Sequence, residues 1–561
     1  MDNRIAVFSG LFLIAATVGI TALYQMDGDE NSGSELSSFQ SEEEFISYMN
    51  SDESNYQDSR SSELSDGDSA MEETAETTRE GDATGSQQQT QSAEWVQTTE
   101  DRILISHGYP RYFDSVKIPG LELEHNISEA GGPMVTSGNL TVIEEQERIA
   151  AYDSEMNVEW EKGLNSTVVE MTRLDGEIIL LTRDSENECP ISPYEGLDIA
   201  CTSVLRPIYG GQNDYTYTVS KIDTNSGERT ESMSFVGSSG AEIEVTPEKT
   251  FISYSDRKPE HEIMTDFILN EASVSSETRE RVRELQSYDL TDRSMQIEIE
   301  AAIREYEKDN RKALEKEFSQ YDQENLKEYE ESTLMTVDNS DLSYESQKFD
   351  GRISGIESGN QTLVTVEFNG VDWENRFTEI RTLGGSSTEI EGRAELFNGD
   401  ILVQNGEEIR LLDPNMEELN SVDINAQNVE TSGDKILASV RPEMDERTVS
   451  RQESELLLFD SGLERVDSES LDAWPYSFEM VEGPNSSYSL VRGTNSSYLI
   501  ELNQEINSYE TEASGRLLYQ EGLYTAGEKI QKVSEQGGIE QELDLEIPRG
   551  YVIFPESRIE N

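Results

Sequence analysis

A repeat of short apolar strands separated by polar turns runs through most of this chain of 561 residues. Each copy holds an apolar strand, a turn, a second strand that ends in Asp or Asn, and one more strand. In the C-terminal third the copies recur about every 30–47 residues, which is the length of a β-propeller blade. A blade alone exposes apolar faces, so the copies must stack radially to bury them. We predict a mainly β protein in which residues 96–561 form a β-propeller of about seven blades, with six or eight open and a weak extra copy near residues 363–383.

The residue that closes the second strand of each copy is acidic or an amide. The six clearest positions are Asp153, Asp223, Asp338, Asp413, Asp460 and Asn503. Such side chains stabilise turns by accepting hydrogen bonds from their own backbone. Calcium binding is the alternative, but the D-x-D-x-D-G pattern of a calcium loop does not occur. We therefore predict turn residues and no metal site.

One uncharged apolar run lies at the N-terminus, at residues 5–24. About twenty such residues in a helix span the roughly 30 Å apolar layer of a bilayer. Arg4 precedes the run, whereas Asp27, Asp29 and Glu30 follow it, so residues 1–4 are predicted to be cytoplasmic and the rest of the chain extracellular. The favoured interpretation is a single-pass signal-anchor in the cell membrane; a cleaved signal peptide is the alternative.

The next segment, residues 25–95, is acidic and polar and has almost no aromatic residues. It offers too little apolar surface to offset the entropy of ordering, so we predict a disordered acidic linker. One exception is the stretch of residues 39–49, FQSEEEFISYM, which can form two helical turns. Ser41 is its predicted N-cap, with Phe45, Ile46 and Met49 on one side.

The acidic bias extends over the whole chain: 116 acidic and 43 basic residues give a formal net charge of −73. A surface of this kind stays soluble when concentrated salt screens its self-repulsion. The composition therefore predicts a halophilic protein. It also argues against a nucleic-acid partner, because phosphates would meet carboxylates.

Two cysteines, Cys189 and Cys201, are twelve residues apart. Outside the membrane, an even and closely spaced pair indicates a disulfide bond. Free thiols and a metal site are the alternatives, but His107, His125 and His261 are all distant in sequence. An extracellular protein can also be glycosylated at N-x-S/T sequons, so we predict that this chain is a glycoprotein. The possible acceptors are Asn126, Asn139, Asn165, Asn360, Asn485 and Asn495.

A long insertion from about residue 259 to 331 has helical periodicity in its apolar residues. Ser275 and Asp292 are predicted N-caps, and Glu300/Arg304 and Glu307/Arg311 are i,i+4 pairs. Such a length in one rod would reach far beyond the propeller, so we expect several helices folded against it. Four of the few lysines lie here, either neutralising nearby carboxylates or forming a docking surface; they are Lys308, Lys312, Lys316 and Lys327.

Several of these elements together resemble a known family. They are the N-terminal apolar segment, F-x-S-E-E-E-F-x-x-Y at residues 39–48, CPISPYEGLDIAC followed by TSVLRP at residues 202–207, and the charged insertion that runs into STLMTVDNSDLSY at residues 332–344. The chain resembles secreted or membrane-anchored proteins of archaea and bacteria, as found in haloarchaea, that have a C-terminal β-propeller domain. The resemblance implies an extracytoplasmic propeller without an assigned chemistry or cofactor.

Two classes of function follow. The favoured one is a membrane-anchored module that binds or scaffolds a protein or glycan at the cell surface. The alternative is a propeller enzyme, either quinoprotein-like or active on glycosides. Ala151-Tyr152-Asp153 followed by Trp160 looks like one quinone-dehydrogenase repeat, but the other tryptophans do not recur at that position, so we expect Trp160 to be a core residue.

No G-x-S-x-G or H-E-x-x-H motif of a hydrolase occurs. A catalytic pair of carboxylates, as in glycoside hydrolases, cannot be picked out among 116 acidic residues, because any two of them could form such a pair. We therefore predict no enzyme activity, no catalytic residue and no cofactor.

Overall fold

The computed structural model describes residues 36–50 and 96–545, apart from residues 208–214, 441–453 and several single residues and pairs. The predicted anchor at residues 5–24 lies outside these residues, as does most of the predicted linker at 25–95. No helix in the described part of the chain is both long and apolar enough to cross a membrane.

The first described elements form a short N-terminal segment, which comprises β1 (Leu36–Ser38) and α1 (Glu42–Met49). Ser41 is the N-cap of α1 and accepts a hydrogen bond from the Glu44 amide at 3.1 Å, as the sequence predicts. Phe45 and Met49 are buried, whereas Ile46 is exposed. The predicted two turns of helix are therefore confirmed, with Ile46 on the solvent side.

The strands of the rest of the described chain form nine sheets, each of which is one blade of a β-propeller. Strands of the first three blades are β2 (Val96–Thr98), β3 (Arg102–Gly108), β4 (Arg111–Lys117) and β5 (Glu122–Ser128); β6 (Ala130–Ser137), β7 (Leu140–Glu145), β8 (Arg148–Tyr152) and β9 (Val158–Gly163); and β10 (Thr167–Leu174), β11 (Glu177–Asp184), β12 (Leu205–Pro207), β13 (Tyr215–Asp223) and β14 (Arg229–Gly237). In the third blade β12 lies outside β14, and β1 of the N-terminal segment pairs with β12. Strand pairing is antiparallel throughout, except that β12 pairs with β14 in parallel in the third blade.

The next three blades contain β15 (Ile243–Val245), β16 (Lys249–Arg257), β17 (Glu330–Asp338) and β18 (Tyr344–Asp350); β19 (Arg352–Ser358), β20 (Thr362–Asn369), β21 (Arg376–Thr382) and β22 (Ser387–Ile390); and β23 (Arg393–Phe397), β24 (Asp400–Gln404), β25 (Glu408–Leu412) and β26 (Glu418–Asp423).

The last three blades contain β27 (Ala426–Ser432), β28 (Lys435–Val440), β29 (Ser454–Asp460) and β30 (Arg465–Leu471); β31 (Pro475–Ser477), β32 (Met480–Glu482), β33 (Ser487–Gly493), β34 (Ser497–Leu502) and β35 (Ile506–Thr511); and β36 (Arg516–Tyr519), β37 (Leu523–Ala526), β38 (Lys529–Val533) and β39 (Ile539–Asp544). In the eighth blade the first position is shared by β31 and β32, which both pair with β33.

Apolar side chains between neighbouring blades form the core. The middle strands are covered on both faces, which is why they contain continuous apolar runs such as Ile178–Leu181 in β11. The outermost strands are more exposed, and β9 contains no buried residue. The ring closes in the same way, because Ile103 and Val116 of the first blade share a core with Tyr524 and Ile530 of the ninth. Each blade is built from one stretch of sequence, so packing joins the two ends of the ring.

Nine blades replace the predicted seven, and the first and fifth blades are the two that the prediction omits. The recurring Asp or Asn closes the third strand of a blade, not the second, because the predicted copies leave out the first strand of each blade. Its turn role is confirmed: Asp153 Oδ1 accepts hydrogen bonds from the amides of Glu155 and Asn157, both at 2.8 Å. The equivalent turns of the first and fifth blades, residues 118–121 and 383–386, contain no Asp or Asn. This accounts for only part of the error, because the turn of the ninth blade, residues 534–538, lacks both residues too and that blade is among the predicted copies.

The insertion between β16 and β17 forms a helical arm, which comprises α2 (Glu260–Asp266), a π-helical turn (Phe267–Glu271), α3 (Ser276–Leu285), α4 (Asp292–Tyr306), α5 (Arg311–Asn325) and a 3₁₀ turn (Leu326–Glu328). The arm has its own apolar core, in which Phe267, Val282, Ile299 and Leu314 are buried. Through Phe318 and Tyr321 it also packs on the fourth and fifth blades. The expectation of several helices folded against the propeller is confirmed.

Details of the arm differ from the sequence prediction. Ser275 caps α3 as predicted, but Thr291 caps α4 instead of Asp292, which is the first helical residue. Glu300 pairs with Arg304 as expected, at 3.8 Å. Glu307 does not pair with Arg311, because α4 ends there; its carboxylate is buried and accepts from Thr278 Oγ1 at 2.6 Å. Hydrogen bonding at the chain reversal thus replaces the predicted helical ion pair.

The propeller has two different faces. In an antiparallel four-stranded sheet the first and third connections lie at one end of the strands, and the second connection lies at the other. The loop that contains Cys189 and Cys201, which we call the disulfide loop, is the second connection of the third blade, between β11 and β13. The helical arm is the second connection of the fourth blade, between β16 and β17. They therefore enlarge one face, which also receives the N-terminal segment. The Asp turns are third connections and lie on the opposite face.

Candidate functional site

A pocket lies between the eighth and ninth blades, on the face that carries the Asp turns. Its volume is about 410 Å³. The lining consists of aromatic and polar side chains supplied by four turns and the strand ends beside them, namely Pro484, Ser486, Tyr488, Glu501, Asn503, Tyr519 and Glu535. Because the two blades stack through a shared apolar core, the propeller itself fixes the pocket's two walls.

Two tyrosines form the aromatic part of the pocket. Tyr488 is in β33 and Tyr519 ends β36, and their rings are nearly parallel with centroids 6.2 Å apart. Tyr488 is only 4% exposed, whereas Tyr519 is half-buried and can present part of its surface to a ligand. Gly483 lies at the edge of both rings, where a Cβ would be 2.9 Å from Tyr488 Cε2 and 3.1 Å from Tyr519 Cε2. A side chain there would displace one of the rings.

The polar part of the pocket is centred on Glu501. Its Oε1 accepts hydrogen bonds from Ser486 Oγ and Asn503 Nδ2, both at 3.1 Å. Burial raises the pKa of Tyr488, and the charges of Glu535 and Glu501 act in the same direction. The Tyr488 hydroxyl therefore stays protonated at neutral pH.

These groups suit a ligand that has several hydroxyl groups. The carboxylates accept hydrogen bonds from hydroxyls, the amide of Asn503 can donate or accept, and an exposed tyrosine face can cover an apolar C–H surface. The sequence alone does not reveal this site. Tyr488 and Tyr519 are in different blades, and each resembles an ordinary strand residue.

The opposite face carries a second candidate site, at the third blade. Cys189 and Cys201 form the predicted disulfide bond, with their Cα atoms 5.9 Å apart. This excludes the free-thiol and metal alternatives for the pair. Beside it, Ile191, Val204 and Val236 form an apolar groove with Cys201, and Phe39, Phe45 and Met49 of the N-terminal segment fill it. We call this the blade-3 groove.

The four possible glycosylation sites that the structure describes are all exposed: Asn126, Asn139, Asn165 and Asn360. Two of them make hydrogen bonds: Asn126 Nδ2 donates to Asp114 Oδ1 at 2.7 Å, and Asn165 Nδ2 donates to the Ser192 carbonyl at 2.9 Å. Asn485 and Asn495 lie outside the described residues.

Trp160 joins two blades and is not simply a core residue. Its Nε1 donates to the Thr224 carbonyl at 2.8 Å, and its ring lies against Gly227, where a Cβ would be 2.7 Å away. The second blade is thus clamped to the Asp turn of the third. Other blades use different side chains for the same purpose: Asn420 Nδ2 donates to the Gly462 carbonyl at 2.6 Å. The tryptophan therefore has a structural role here.

The histidines and lysines are dispersed. His107 lies 3.3 Å from the Asp114 carboxylate in the first blade, and His261 is in the arm. Among the described residues there is no group of three or more potential metal ligands. Of the four lysines in the insertion, Lys327 pairs with Glu379 of the fifth blade at 3.1 Å, whereas Lys308, Lys312 and Lys316 are exposed. One of the four thus docks the arm on the propeller.

Comparison with known proteins finds relatives of the chain in archaea. No protein-family model matches it. The chain is 30% identical over 209 residues to an uncharacterised protein of Archaeoglobus fulgidus. The matched region covers 34% of this chain and 34% of that protein. A second uncharacterised protein, from Methanocaldococcus jannaschii, is 27% identical over 247 residues, or 41% and 39% of the two chains. The match thus spans between a third and two fifths of the length of these curated relatives.

Among solved structures, the chain is similar to the β-propeller domain of the trilobed protease from Pyrococcus furiosus, with a TM-score of 0.27, 11% identity and coverage of 68% and 97% of the two chains. The Kluyveromyces lactis protein Hsv2p gives a TM-score of 0.30 at 9% identity, with 74% and 96% covered. Overall likeness at this level carries no argument about function. The chain is a β-propeller protein on the evidence of its own nine sheets.

Proposed function

We propose that this chain is a binding module of the cell surface that recognises a carbohydrate in the pocket between its eighth and ninth blades. The observation that carries the proposal is the combination of two nearly parallel tyrosine rings with Glu501, Asn503 and Ser486 around one cavity. The apolar run at residues 5–24 supports a single-pass membrane anchor with the propeller outside the cell. The acidic surface opposes nucleic acids but is compatible with an uncharged sugar.

The ligand class follows from the charges in the pocket. Glu501 and Glu535 would repel an anionic ligand, whereas hydroxyl groups can donate to them. An amine could also bind near two carboxylates and two aromatic rings. Molar salt screens that attraction, but it weakens hydrogen bonding and stacking to a neutral sugar far less.

Titration of the full chain with neutral oligosaccharides in molar salt tests the proposal, with calorimetry as the measurement. Tyr519→Ala and Glu501→Gln should each weaken binding about 5- to 150-fold, since the loss of such stacking or of a charged hydrogen bond costs about 1–3 kcal/mol. Glu505→Gln makes the same chemical change in the exposed turn beside the pocket and should leave binding unchanged. Binding of amines alone, lost in molar salt, would contradict the carbohydrate proposal.

The second candidate function is hydrolysis of a glycoside, because Glu501 and Glu535 line the same cavity and two carboxylates are the usual catalytic pair. Prolonged incubation with the bound oligosaccharide distinguishes the two. Intact sugar after incubation favours a binding module, whereas cleavage that Glu501→Gln and Glu535→Gln both abolish would make the protein an enzyme.

A further inference from the structure

The N-terminal segment is held on the propeller as a ligand would be. Its β1 strand pairs with β12 in antiparallel register, Leu36 opposite Pro207 and Ser38 opposite Leu205. Addition of a strand to an exposed sheet edge is a common mode of peptide recognition, in which main-chain hydrogen bonds give affinity and pockets give specificity. Here the pockets are those of the blade-3 groove.

Aromatic and charged contacts make this recognition specific. The Arg206 guanidinium of β12 forms an ion pair with the Glu44 carboxylate and lies over the rings of Phe39, at 4.6 Å, and Tyr48, at 5.2 Å. Phe39 and Phe45 are 2% and 0% exposed. One arginine therefore contacts three side chains of the segment at once.

The segment is also preorganised by its own residues. Ser41 caps α1 by accepting from the Glu44 amide, and Glu44 Oε2 accepts a hydrogen bond at 2.6 Å from the amide of Gln40, the residue before the cap. Phe39 packs edge-on against Phe45, with centroids 5.2 Å apart. All these contacts lie within residues 36–50, and none requires the chain that follows.

The covalent connection to the propeller is long. Residues 51–95 separate the segment from the first blade, yet the segment docks on the third blade. At about 3.3 Å per residue, 45 residues reach at most roughly 150 Å, several times the width of a domain. A neighbouring copy within that reach can present its own segment to the groove, at an effective concentration that depends on the tether length and on the distance between the copies.

We propose that the blade-3 groove also accepts the N-terminal segment of a second copy, so that neighbouring chains become linked by exchanged segments. The membrane anchor, which is part of the proposed function, would concentrate copies at a surface and favour the exchange. The inference rests on the proposed function only through this anchor. The groove itself recognises an aromatic, acidic peptide through residues that are independent of the sugar pocket.

Two complementary full-length variants test the exchange. Phe39→Ser/Phe45→Ser removes the apolar residues of the segment and keeps the groove, whereas Arg206→Glu disables the groove and keeps the segment. Neither variant can dock its own segment, but a mixture supplies one intact groove and one intact segment on different chains. Analytical ultracentrifugation in molar salt should show a 1:1 heterodimer in the mixture and monomers for each variant alone. A mixture that stays monomeric at about 100 µM protein, a concentration that detects dissociation constants well below 1 mM, would overturn the proposal.

A charge exchange controls for damage to the fold. Glu44→Arg combined with Arg206→Glu in the same chain reverses the ion pair and should restore hydrogen-exchange protection of residues 36–49 at least tenfold over Arg206→Glu alone. Glu42→Arg makes the same charge change on the exposed side of α1 and should not restore it. Equal protection in these two combinations would mean that Arg206 does not recognise Glu44. Sugar binding measured in parallel separates failure of the exchange from failure of the proposed function.

Discussion

The helical arm and the N-terminal segment are attached to the same face of the propeller, but they are held in different ways. The arm is continuous with the fourth blade at both ends and has an apolar core of its own. The segment has no separate core, and its buried residues belong to a cluster that includes the disulfide loop. The arm is therefore an integral part of the fold, whereas the segment resembles a bound peptide.

The joint between the arm and the fifth blade shows the difference in detail. Asp322 of α5 is fully buried and accepts hydrogen bonds from the amides of Val371 and Asp372, at 2.9 and 3.1 Å, and from Asn375 Nδ2 at 2.9 Å. One carboxylate thereby satisfies three donors of the loop between β20 and β21. The segment is held by its apolar side chains in the blade-3 groove, by the exposed edge of a sheet and by Arg206. Water can replace the polar contacts of the segment more readily than those of Asp322.

Salt should separate the two attachments with the largest effect. The net charge of −73 opposes compaction, and the Debye length shrinks from about 10 Å at 0.1 M salt to about 3 Å at 1 M. On dialysis from molar to low salt we expect the segment to lose hydrogen-exchange protection first, because Glu42, Glu43 and Glu44 bring further negative charge to the surface. The arm and the propeller should then unfold together, with loss of near-UV circular dichroism.

This prediction can fail in two ways. A melting temperature that is the same at about 0.1 and 3 M salt would contradict the halophilic interpretation. Loss of protection in the arm before the segment would reverse the comparison, since it would make the arm the weaker attachment.

Removal of the buried carboxylate should have the next largest effect. In Asp322→Ala three donors lose their acceptor, which should cost at least about 3 kcal/mol because each unsatisfied buried group costs about 1–3 kcal/mol. The melting temperature of the whole domain should fall, because the arm and the fifth blade unfold with it. Differential scanning calorimetry measures the change. Glu324→Ala, at an exposed position in the same helix, is the matched control and should have little effect.

A second variant tests the same joint from the other side. A Cβ at Gly370 would be 2.2 Å from Asp322 Oδ2, so Gly370→Ala should push the carboxylate out of place. If Gly370→Ala and Asp322→Ala together destabilise the protein no more than either alone, they act on one joint. Additive losses would mean that Gly370 matters for another reason.

Loss of the disulfide bond should affect the segment more than the propeller. In the chain-entropy view a loop of this size contributes about 3 kcal/mol, and the loop supplies Ile191 and Val204 to the groove. Cys189→Ser/Cys201→Ser should therefore release residues 36–49 while the domain still melts cooperatively. Hydrogen exchange of residues 36–49 and 292–325 gives the two readouts. Reduced wild-type protein should behave in the same way; equal loosening of both regions would contradict the assignment of the loop to the groove.

The same contrast explains what could be predicted from the sequence. The cap Ser41 and the buried residues Phe45 and Met49 can be predicted from the sequence, because the cap and the apolar periodicity of α1 lie within ten residues. The Asp turns were found for the same reason, since Asp153 binds amides only two and four residues away. The first and fifth blades, which lack this local signal, are the two missing from the predicted seven; the ninth blade lacks it as well but is predicted from its strand pattern.

Sites made by distant residues could not be predicted. Asp322 is one of 116 acidic residues, and only the fold brings it to Val371 and Asn375. The pocket between the eighth and ninth blades is lined by Tyr488 and Tyr519, which are neighbours because blades stack radially. Neither pairing has a spacing in the sequence that would distinguish it from chance.

The smallest predicted effect concerns the second contact between the arm and the propeller. Lys327 Nζ lies 3.1 Å from Glu379 Oε2 and over the rings of Phe368 and Phe377, at 5.2 and 5.5 Å. Its side chain is more than half exposed, and Glu379 keeps a second partner, Arg381, at 2.7 Å. Lys327→Met should therefore cost only about 0.5–1 kcal/mol, as measured by calorimetry. Lys316→Met, at an exposed position of α5, is the matched control.

The pH dependence divides this small effect into its parts. Burial raises the pKa of Glu379, but hydrogen bonds from Arg381, Ser387 and Lys327 outweigh it and hold the pKa below its ordinary value. A carboxylate whose pKa is lowered by folding stabilises the protein above its unfolded pKa of about 4.3 and loses that contribution as the pH falls through the folded value. The difference between wild type and Lys327→Met should therefore shrink below about pH 4, leaving only the contact of the ammonium with the two rings. A difference that is constant from pH 7 to the acid limit would show that the rings, and not Glu379, hold Lys327 in place.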